Sequence, residues 1–373
     1  MNYCKRCILP NTRPGISIND DGICSGCVGH DYKEQRIDWA ARGQALERIV
    51  AAAKDRAIGY DCIVPVSGGK DSWYQVIKCQ ELGLNPLAVT WRSPARTALG
   101  QQNLSGLITK LGVDHIDYTI DPDVERRFMK VAFEQRGDPG LPMHMAIFVI
   151  PTRLAAQMRI PLVVWGENPQ LEFGGTDDER LATDLDHAWL SKHGCMQGTT
   201  AADWIGDNLT AHDLAAYMLP GESGFVPKMI FLGAFLKWDS FENAGTARDH
   251  GFTFRDDGAL TGVWEFADID CAFISLHHLP KWHKFGISRA FDNLSVEIRH
   301  GRITRDEAVN TLRKVGMQVP RDDIRAFCEF EREPESWFWE TCETFRNHDI
   351  WERVGTVWRV RDFLIEDFPW ECA

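Results

Sequence analysis

The fold of this chain is decided by the segment Ser67-Gly68-Gly69-Lys70-Asp71-Ser72. It lies between the apolar run Cys62-Ile63-Val64-Pro65-Val66 and the segment Trp73-Tyr74-Gln75-Val76-Ile77-Lys78, a pattern that predicts a buried strand, a glycine turn and a helix. Adjacent glycines let backbone N–H groups approach a polyanion, and a helix N-terminus adds favourable partial charge. Lys70 supplies a mobile positive charge. Residues 67–72 therefore have the character of a phosphate-binding loop, here termed the phosphate loop.

The spacing of the phosphate loop differs from that of the Walker A motif, in which a glycine stands five residues before a Gly-Lys-Ser/Thr triplet. No glycine occupies that position in this chain. The sequence SGGKDS instead resembles the signature of the PP-loop ATP pyrophosphatases. These enzymes cleave ATP between the α and β phosphates and adenylate a substrate, so the resemblance implies that the phosphate loop binds ATP.

Length and composition indicate a globular protein of two or three domains. The chain has 373 residues, of which 44% are hydrophobic and 11% aromatic, which is enough for a substantial core. It contains no run of eighteen apolar residues, and the segment Met1-Asn2-Tyr3-Cys4-Lys5-Arg6-Cys7 lacks the apolar stretch of a secretory signal. We therefore expect a cytoplasmic protein without membrane insertion.

The net charge of −13 makes extended binding to RNA or DNA unfavourable, although a few local cations could still hold a small anionic ligand. We expect no nucleic-acid partner. The eleven cysteines have to be explained by metal binding or packing, because a cytoplasmic chain of this length does not use a disulfide framework.

Four cysteines have the spacing of a zinc ribbon. The pairs Cys4-x-x-Cys7 and Cys24-x-x-Cys27 flank a segment that contains prolines and glycines, as expected for two tight knuckles joined by a loop. Four thiolates complete a tetrahedral zinc site with no open position, which predicts a structural rather than a catalytic role. The other cysteines show no paired spacing and are expected to pack in the interior.

The chain divides into three predicted units: a zinc ribbon over residues 1–35, a PP-loop domain over residues 36–240, and a mainly helical substrate or partner domain over residues 241–373. Within the second unit, strand-like runs at residues 86–91 and 115–119 alternate with helical patterns. This alternation predicts an α/β fold with a doubly wound parallel sheet whose ligands lie at the carboxyl ends of the strands. The PP-loop resemblance implies the same HUP-like core.

Another strand-like run, residues 160–165, ends in the loop Gly166-Glu167-Asn168-Pro169. The polar stretch that follows, at about residues 172–220, is predicted to be a mobile insertion over the site, with its acidic residues Asp177, Asp178 and Glu179 in solvent. The apolar run at residues 228–233 is expected to return to the sheet as a further strand.

Motifs along nearly the whole chain extend the resemblance. They are the two cysteine pairs, SGGKDS, the segment Trp165-Gly166-Glu167-Asn168, the motif Lys281-x-x-Lys284-Phe285-Gly286-Ile287-Ser288-Arg289-Ala290, and Glu297-Ile298-Arg299-x-Gly301-x-Ile303-x-Arg305-x-Glu307-Ala308. In this order they resemble the N-acetyl sugar amidotransferase family of the WbpG and PseA type. The resemblance implies a role in the biosynthesis of a bacterial surface polysaccharide (lipopolysaccharide O-antigen) or of a nonulosonic acid.

The family resemblance implies that ATP and ammonia convert an acetamido group of a sugar or nucleotide sugar, most simply a diacetamido sugar, into an acetamidino group. In this reading Lys70 neutralises the departing pyrophosphate, Asp71 helps to hold Mg²⁺, and Glu167 is a second acidic ligand or a substrate-orienting group. A cap at a helix end remains the alternative role for Glu167. The residues expected to bind ATP are Ser67, Gly68, Gly69, Lys70, Asp71, Ser72 and the strand-end Trp91, which could stack on a base.

Cations of the C-terminal region are candidates for binding the sugar carboxylate or the nucleotide phosphates, because guanidinium forks suit both groups. They are Lys284, Arg289, Arg299 and Arg302, for which salt bridges on helix surfaces are equally consistent with the sequence. The nearby His277, His278 and His283 invite a metal hypothesis, but structural roles or substrate hydrogen bonds fit lone histidines better.

Ammonia has to reach the site as the neutral molecule, yet the chain has no recognisable glutaminase domain. Position 2 is Asn2 rather than a terminal cysteine, and Gly194-Cys195-Met196-Gln197-Gly198 misses the Gly-x-Cys-x-Gly spacing by one residue. We therefore expect a separate triad-type glutaminase subunit. The resemblance also allows a barrel-shaped, cyclase-like subunit.

The alternative function is tRNA thiolation, since enzymes of that class also join a cysteine ribbon to a PP-loop domain. They need a basic RNA surface and usually further catalytic cysteines. This chain carries a net charge of −13 and has only Cys195 as a candidate reactive thiol in a loop near the site.

Overall fold

A computed structural model describes residues 1–173, 183, 185, 189–190, 197–221 and 224–370. The predicted acidic cluster Asp177, Asp178 and Glu179 and the candidate thiol Cys195 lie outside these residues, as does part of the proposed mobile insertion. None of the helices in the described ranges has both the length and the apolar character that crossing a membrane requires.

The centre of the molecule is a five-stranded parallel sheet, which confirms the predicted doubly wound α/β fold. The strand order is β3-β2-β1-β4-β5, and every neighbouring pair is parallel. The strands are β1 (Cys62–Pro65), β2 (Pro86–Trp91), β3 (Asp114–Tyr118), β4 (Leu162–Trp165) and β5 (Lys228–Phe231). Because the strand order reverses direction between β1 and β4, the carboxyl ends of these two strands form the crevice in which such folds bind ligands.

Helices cover the sheet and carry the signals that start and end them. Among the described residues, the α-helices before residue 250 are α1 (Ser25–Gln35), α2 (Trp39–Arg56), α3 (Lys70–Glu81), α4 (Ala98–Leu111), α5 (Pro122–Arg136), α6 (Leu141–Met158), α7 (Pro169–Phe173) and α8 (Ser240–Asp249). The Thr97 side chain caps α4 by accepting a hydrogen bond from Gly100, and α4 ends at Gly112 in the left-handed conformation. The central strand β1 is buried, together with Trp73 of α3 and Val149 of α6.

The C-terminal third is mainly helical and ends in a hairpin. Its helices are α9 (His278–Phe285), α10 (Arg289–Arg299), α11 (Arg305–Val315), α12 (Arg321–Glu331) and α13 (Glu335–Thr344). Strands β6 (Trp351–Val354) and β7 (Val357–Val360) pair antiparallel. The helical periodicity of this region did not predict the hairpin.

The N-terminal ribbon shares a hydrophobic core with the C-terminal helices. Ile8 and Leu9 are buried in one cluster with Phe291 of α10, Leu312 of α11 and Trp351 of β6. Hydrogen bonds also join the ribbon to the C-terminal helices. The hydroxyl of Thr12 donates to the carbonyl of Phe285 at 2.7 Å, and Arg305 Nε donates to the carbonyl of Cys7 at 3.1 Å. The two ends of the chain therefore form one packed unit.

The segment Asp268–Ala272 connects the C-terminal region to the nucleotide-binding half. Its backbone receives a hydrogen bond from Thr97 N to Asp270 O at 3.1 Å and donates one from Ala272 N to Ala95 O at 2.9 Å. Gly100 permits this approach, because a Cβ at that position would lie 2.6 Å from the Cα of Asp270. The segment thus passes directly beside the first turn of α4.

The described end of the proposed insertion packs against helices α5 and α6. Trp204 and Tyr217 are buried and lie against the ring of Phe128, with centroid distances of 5.3 and 5.1 Å. Leu209 and Leu214 are buried beside them. Residues 197–221 therefore contribute to the main core. The three-domain division of the chain stays a prediction.

Two helical glycines provide a matched test of the contact at the Asp268–Ala272 segment. We expect Gly100→Ala to lower the free energy of unfolding by about 1–3 kcal/mol, because its methyl group would overlap the backbone of Asp270. Gly43→Ala in α2 has open space around it and should raise the same quantity by about 0.5–1 kcal/mol. Urea unfolding of both variants measures the difference, and equal effects would show that the close contact is absent.

Candidate active site

The phosphate loop joins the carboxyl end of β1 to the first turn of α3. Gly68 has a φ of 97°, a conformation that glycine adopts readily, and a Cβ there would lie 2.6 Å from the carbonyl oxygen of Gly100. The hydroxyl of Ser72 accepts a hydrogen bond from Ser67 N at 2.9 Å and fixes the turn. Gly69, the residue before the helix, offers no side-chain cap to α3. The loop therefore presents backbone N–H groups and a helix N-terminus at the crevice between β1 and β4.

Lys70 and Asp71 form an ion pair at the mouth of the loop. Lys70 Nζ lies 2.6 Å from Asp71 Oδ2, and the lysine is only 8% exposed. The other carboxylate oxygen, Asp71 Oδ1, is buried and has no hydrogen-bond partner among the described residues. A buried carboxylate oxygen without a partner is costly, so it is available to a cation or a ligand proton.

Glu167 follows β4 and lies on the same side of the sheet as the phosphate loop. The Ser240 hydroxyl donates to Glu167 Oε1 at 3.4 Å. Burial and the charge of Asp71 together raise the pKa of Glu167 to about 7, against the opposing charge of Lys70. The structure therefore brings together the three residues for which sequence reasoning predicted catalysis.

Sequence reasoning missed two carboxylates of the segment Asp268–Ala272. Asp270 accepts a hydrogen bond from the Ser67 side chain, and burial raises its pKa. Asp268 has a left-handed φ of 54° and accepts hydrogen bonds from Thr261 at 2.8 Å and from His278 Nε2 at 3.1 Å. The available signal was the occurrence of two acidic residues inside a largely apolar stretch, which is unusual unless both are paired.

The predicted substrate cations occupy different surroundings. Arg289 Nε lies 3.7 Å from Asp268 Oδ2, and nearby carboxylates, including those of Glu167 and Asp71, raise the pKa of Arg289 against the effect of burial. Lys284 donates to the carbonyl groups of Arg136 and Gly137 at the end of α5. Only Arg289 of this pair lies beside the phosphate-loop residues.

Arg299, the third predicted substrate cation, lies at the cysteines. Its Nη1 donates to the carbonyl of Glu172 at 3.1 Å, and Nη2 lies 4.0 Å from Cys24 Sγ. Arg302, named with it, pairs instead with Glu297 and Asp239 at 2.5 and 2.8 Å. Arg302 therefore forms salt bridges, which was the second of the two roles consistent with the sequence.

Trp91 lines a cavity of about 210 Å³ beside the phosphate loop. The wall also includes Ser67, Met143, His144 and Ile147. The indole nitrogen of Trp91 donates to Glu125 Oε1 at 2.5 Å, which fixes the ring. An apolar recess next to a phosphate-binding turn has the chemistry expected for a nucleoside base.

The described part of the chain contains one group of side chains with metal-binding geometry, the cysteine cluster of Cys4, Cys7, Cys24 and Cys27. All four sulfur atoms lie within 4.8 Å of one another and are buried. Backbone N–H groups donate to them, from Cys7 to Cys4 at 3.4 Å and from Cys24 to Cys4 at 3.3 Å. Four thiols in this arrangement fit a tetrahedral zinc ion, and the N–H groups would stabilise the thiolate form.

Arg299 completes the surroundings of the cysteine cluster. Burial would lower the pKa of Arg299, but the sulfur atoms of Cys7, Cys27 and Cys24 raise it above its ordinary value. Gly26 makes room for the guanidinium, since a Cβ there would lie 2.4 Å from Arg299 Nη2. A cation at this position would offset the negative charge that remains when four thiolates bind one Zn²⁺.

The predicted role of His277, His278 and His283 as structural or hydrogen-bonding residues matches their contacts. The rings of His277 and His278 lie 3.9 Å apart, and burial lowers the pKa of both. His283 Nδ1 lies 2.9 Å from the carbonyl of Leu279 within its own helix. These contacts account for the three rings without a metal.

The cysteine cluster gives a direct prediction. The purified protein should contain about one zinc per chain, and Cys24→Ser should lose most of it and unfold at lower temperature, because one ligand of a closed site is removed. Cys328→Ala, which alters a buried cysteine outside the cluster, is the control and should retain the metal. Elemental analysis measures the outcome. Full zinc content in Cys24→Ser would contradict the assignment.

Glu125 beside Trp91 should make stability depend on pH. Burial raises its pKa from 4.5 to about 8, and the Trp91 hydrogen bond opposes this shift. Between these values unfolding releases a proton, so the contribution of Glu125 is complete below pH 4.5 and is lost as pH rises to about 8. Relative to the wild type, Glu125→Gln should therefore gain stability from pH 5 to pH 8. Urea titrations at both pH values test this, and a constant difference would refute it.

Comparisons with known proteins extend the description of the site. No curated protein matches the chain. Among solved structures, an NMN synthetase from Francisella tularensis matches with a TM-score of 0.32 and 12% sequence identity, over 71% of this chain and 94% of that chain. A likeness this distant assigns neither substrate nor mechanism.

One family model matches the C-terminal region. Residues 253–364 match the model described as "LPS biosynthesis protein WbpG-like, C-terminal domain". This range includes Asp268, Asp270 and Arg289, the residues that the C-terminal region places beside the phosphate loop. The match confirms the resemblance to the WbpG type over these residues.

Proposed function

We propose that this chain is an ATP-dependent amidotransferase of the ATP pyrophosphatase type that converts an acetamido group of an N-acetylated sugar or nucleotide sugar into an acetamidino group. One observation carries the proposal. The phosphate loop, with its Lys70–Asp71 pair, faces Glu167 across the crevice between β1 and β4, while the WbpG-like region contributes Arg289 to the same place.

The reaction has to overcome the low reactivity of an amide, whose carbonyl is a poor electrophile and whose oxygen is a poor leaving group. The amide oxygen attacks the α-phosphorus of ATP, the bond to the β-phosphate oxygen breaks, and pyrophosphate leaves. Ammonia then adds its lone pair to the carbon of the O-adenylyl imidate. The C–O bond breaks with departure of AMP, and loss of a proton leaves the amidine.

The residues of the phosphate loop would position and neutralise the phosphates. Backbone N–H groups of the turn and the start of α3 would hold the pyrophosphate portion, as helix N-termini commonly hold anions. Lys70 would exchange its bond to Asp71 for one to the departing group. Positioning and preorganised charge of this kind are commonly the largest contributions to lowering the barrier of such a transfer.

Two carboxylates fit a magnesium ion at this site. Asp71 has an unpartnered buried oxygen, and Glu167 lies close enough for its charge to interact with that of Asp71. Oxygen ligands from one or two carboxylates, with phosphates and water as the remainder, are what Mg²⁺ prefers. When bound, Mg²⁺ would supply charge neutralisation for the phosphates.

The cavity beside Trp91 would take the adenine ring. Its apolar residues, Met143 and Ile147 among them, would cover the base, while Ser67 joins the cavity to the phosphate loop. Trp91 itself is held at the wall by Glu125. The base and the phosphates would then occupy neighbouring ends of β2 and β1.

Ammonia would come from a partner. We propose a triad-type glutaminase subunit in the cytoplasm, with a barrel-shaped, cyclase-like subunit as a further candidate, because no glutaminase motif is recognisable in the sequence. A sheltered supply matters, since only neutral ammonia carries the lone pair that the reaction needs. The WbpG-like family description supports a place in lipopolysaccharide biosynthesis.

The proposal predicts the effect of two substitutions in the phosphate loop. Lys70→Ala and Asp71→Ala should each lower amidine formation by roughly 10²-fold or more, because preorganised charge at the reacting phosphates is lost. Both variants should remain folded and zinc-loaded. Lys78→Ala is the matched control, since this lysine lies at the far end of the same helix and pairs with Glu81 at 2.7 Å.

The assay combines protein, ATP, Mg²⁺, an ammonium salt and a panel of di-N-acetylated sugars, and measures AMP, pyrophosphate and the mass of the product. AMP formation should require the sugar. Formation of ADP, or wild-type turnover by Lys70→Ala, would refute the proposed mechanism. Dependence on tRNA in place of the sugar would favour the thiolation alternative.

A further inference from the structure

Two cations of the WbpG-like region lie close to each other beside the phosphate loop. Lys281 of α9 and Arg289 at the start of α10 influence one another electrostatically, and the Arg289 guanidinium also responds to the charges of Glu167 and Asp71. Sequence reasoning named Arg289 but not Lys281. The pair therefore extends the candidate active site into the C-terminal helices.

The Lys281 ammonium has no ion-pair partner among the described residues. The carboxylates of Asp292 and Asp138 interact electrostatically with Lys281, but each accepts a hydrogen bond from another side chain. Arg13 Nε donates to Asp292 at 2.5 Å, and Gln197 Nε2 donates to Asp138 at 2.5 Å. The Lys281 side chain is partly buried, and its ammonium has no carboxylate within ion-pair distance among the described residues, so it is available to a negatively charged ligand.

Two further polar atoms in this region lack hydrogen-bond partners. Arg289 Nε and His144 Nδ1 are buried without a hydrogen bond among the described residues. The ring of His144 lies 6.2 Å from that of His277, and both rings interact electrostatically with Lys281. Because His144 also lines the cavity beside Trp91 and Ser67, these groups adjoin the proposed ATP site.

The histidines here do not contribute positive charge. Burial lowers the pKa of His144, His277 and His278, so the rings are neutral at ordinary pH and offer single N–H groups or lone pairs. The cations that act on these rings are Lys281 and Arg289, and the carboxylates of Asp268 and Asp138 lie in the same surroundings. A pocket with two cations and neutral hydrogen-bonding rings suits an anion that carries hydroxyl groups around it.

We propose that Lys281 and Arg289 bind an anionic group of the acceptor sugar, a carboxylate or a phosphate, and thereby direct its acetamido group toward the phosphate loop. The identity of the ligand as an acceptor sugar rests on the function proposed above. Both cations belong to the WbpG-like region, whereas Lys70 and the backbone of residues 67–72 serve the phosphates of ATP.

Arg13 of the ribbon is a positioning residue in this arrangement. Its guanidinium holds Asp292, which would otherwise be the natural partner of Lys281. The neighbouring Thr12 hydroxyl fixes the ribbon loop to the carbonyl of Phe285 at the end of α9. The zinc ribbon thus keeps the ammonium of Lys281 free for the ligand.

The test is direct binding, measured by titration calorimetry without ATP, so that it does not depend on turnover. The probes are N-acetylglucosaminuronic acid, N-acetylglucosamine 1-phosphate and neutral N-acetylglucosamine. The wild type should bind one of the two anionic sugars at least about tenfold more tightly than the neutral one. The preferred anion distinguishes a carboxylate from a phosphate ligand.

Lys281→Ala and Arg289→Ala should each weaken binding of the preferred anionic sugar by about 10- to 100-fold, as expected for loss of a charge-assisted hydrogen bond. Neither should alter binding of neutral N-acetylglucosamine. Lys281→Arg should recover part of the loss, and Lys314→Ala, which alters an exposed lysine of α11, should have no effect. Zinc content and melting temperature serve as checks that the variants are folded.

Three results would overturn the proposal: equal binding of the three sugars by the wild type, wild-type affinity for the anionic sugar in both alanine variants, or a loss of ATP affinity in place of sugar affinity. Tight, Lys281-dependent binding of an anionic sugar without AMP formation would leave the anion site standing and refute the proposed function. The two failures are therefore distinguishable.

Discussion

The active-site region depends on the close approach of three backbone segments that only glycine permits. The carbonyl of Gly100 occupies the space next to Gly68 in the phosphate loop, and the backbone of Asp270 occupies the space next to Gly100. Hydrogen bonds at Ala95 and Thr97 hold the third segment in place. Because there is no side chain in either gap, the C-terminal region reaches the carboxyl end of the central strand and places its own charged groups there.

The strand and helix pattern, the phosphate loop and the cysteine pairs could be predicted because each is a local property of the sequence. Apolar runs of strand length alternate with amphipathic segments, and paired cysteines at two-residue spacing report a metal knuckle without reference to the rest of the fold. The position of Glu167 at the edge of the sheet could also be predicted from local sequence. It follows a buried strand directly, and the ends of parallel strands meet at one edge of the sheet.

The sequence could not tell which of the candidate substrate cations lie beside the phosphate loop, because the direction in which a helix faces depends on its tertiary neighbours. Lys281 and Lys284 are three residues apart on α9, yet the second binds the backbone carbonyl groups at the end of α5 while the first has no ion-pair partner among the described residues. Arg299 lies against the cysteine cluster for the same reason. Asp268 and Asp270 were missed because their partners, His278 and Ser67, are joined only by the fold.

The shared core of the ribbon and the C-terminal helices has a consequence for how the chain is made. Ile8 and Leu9 leave the ribosome long before Phe291, Leu312 and Trp351, which lie far along the chain from them. Contacts of such large sequence separation form slowly. Until those helices are made, the apolar side chains of the ribbon lack their packing partners, and a metal ion bound to the four cysteines would help to keep the ribbon ordered during that interval.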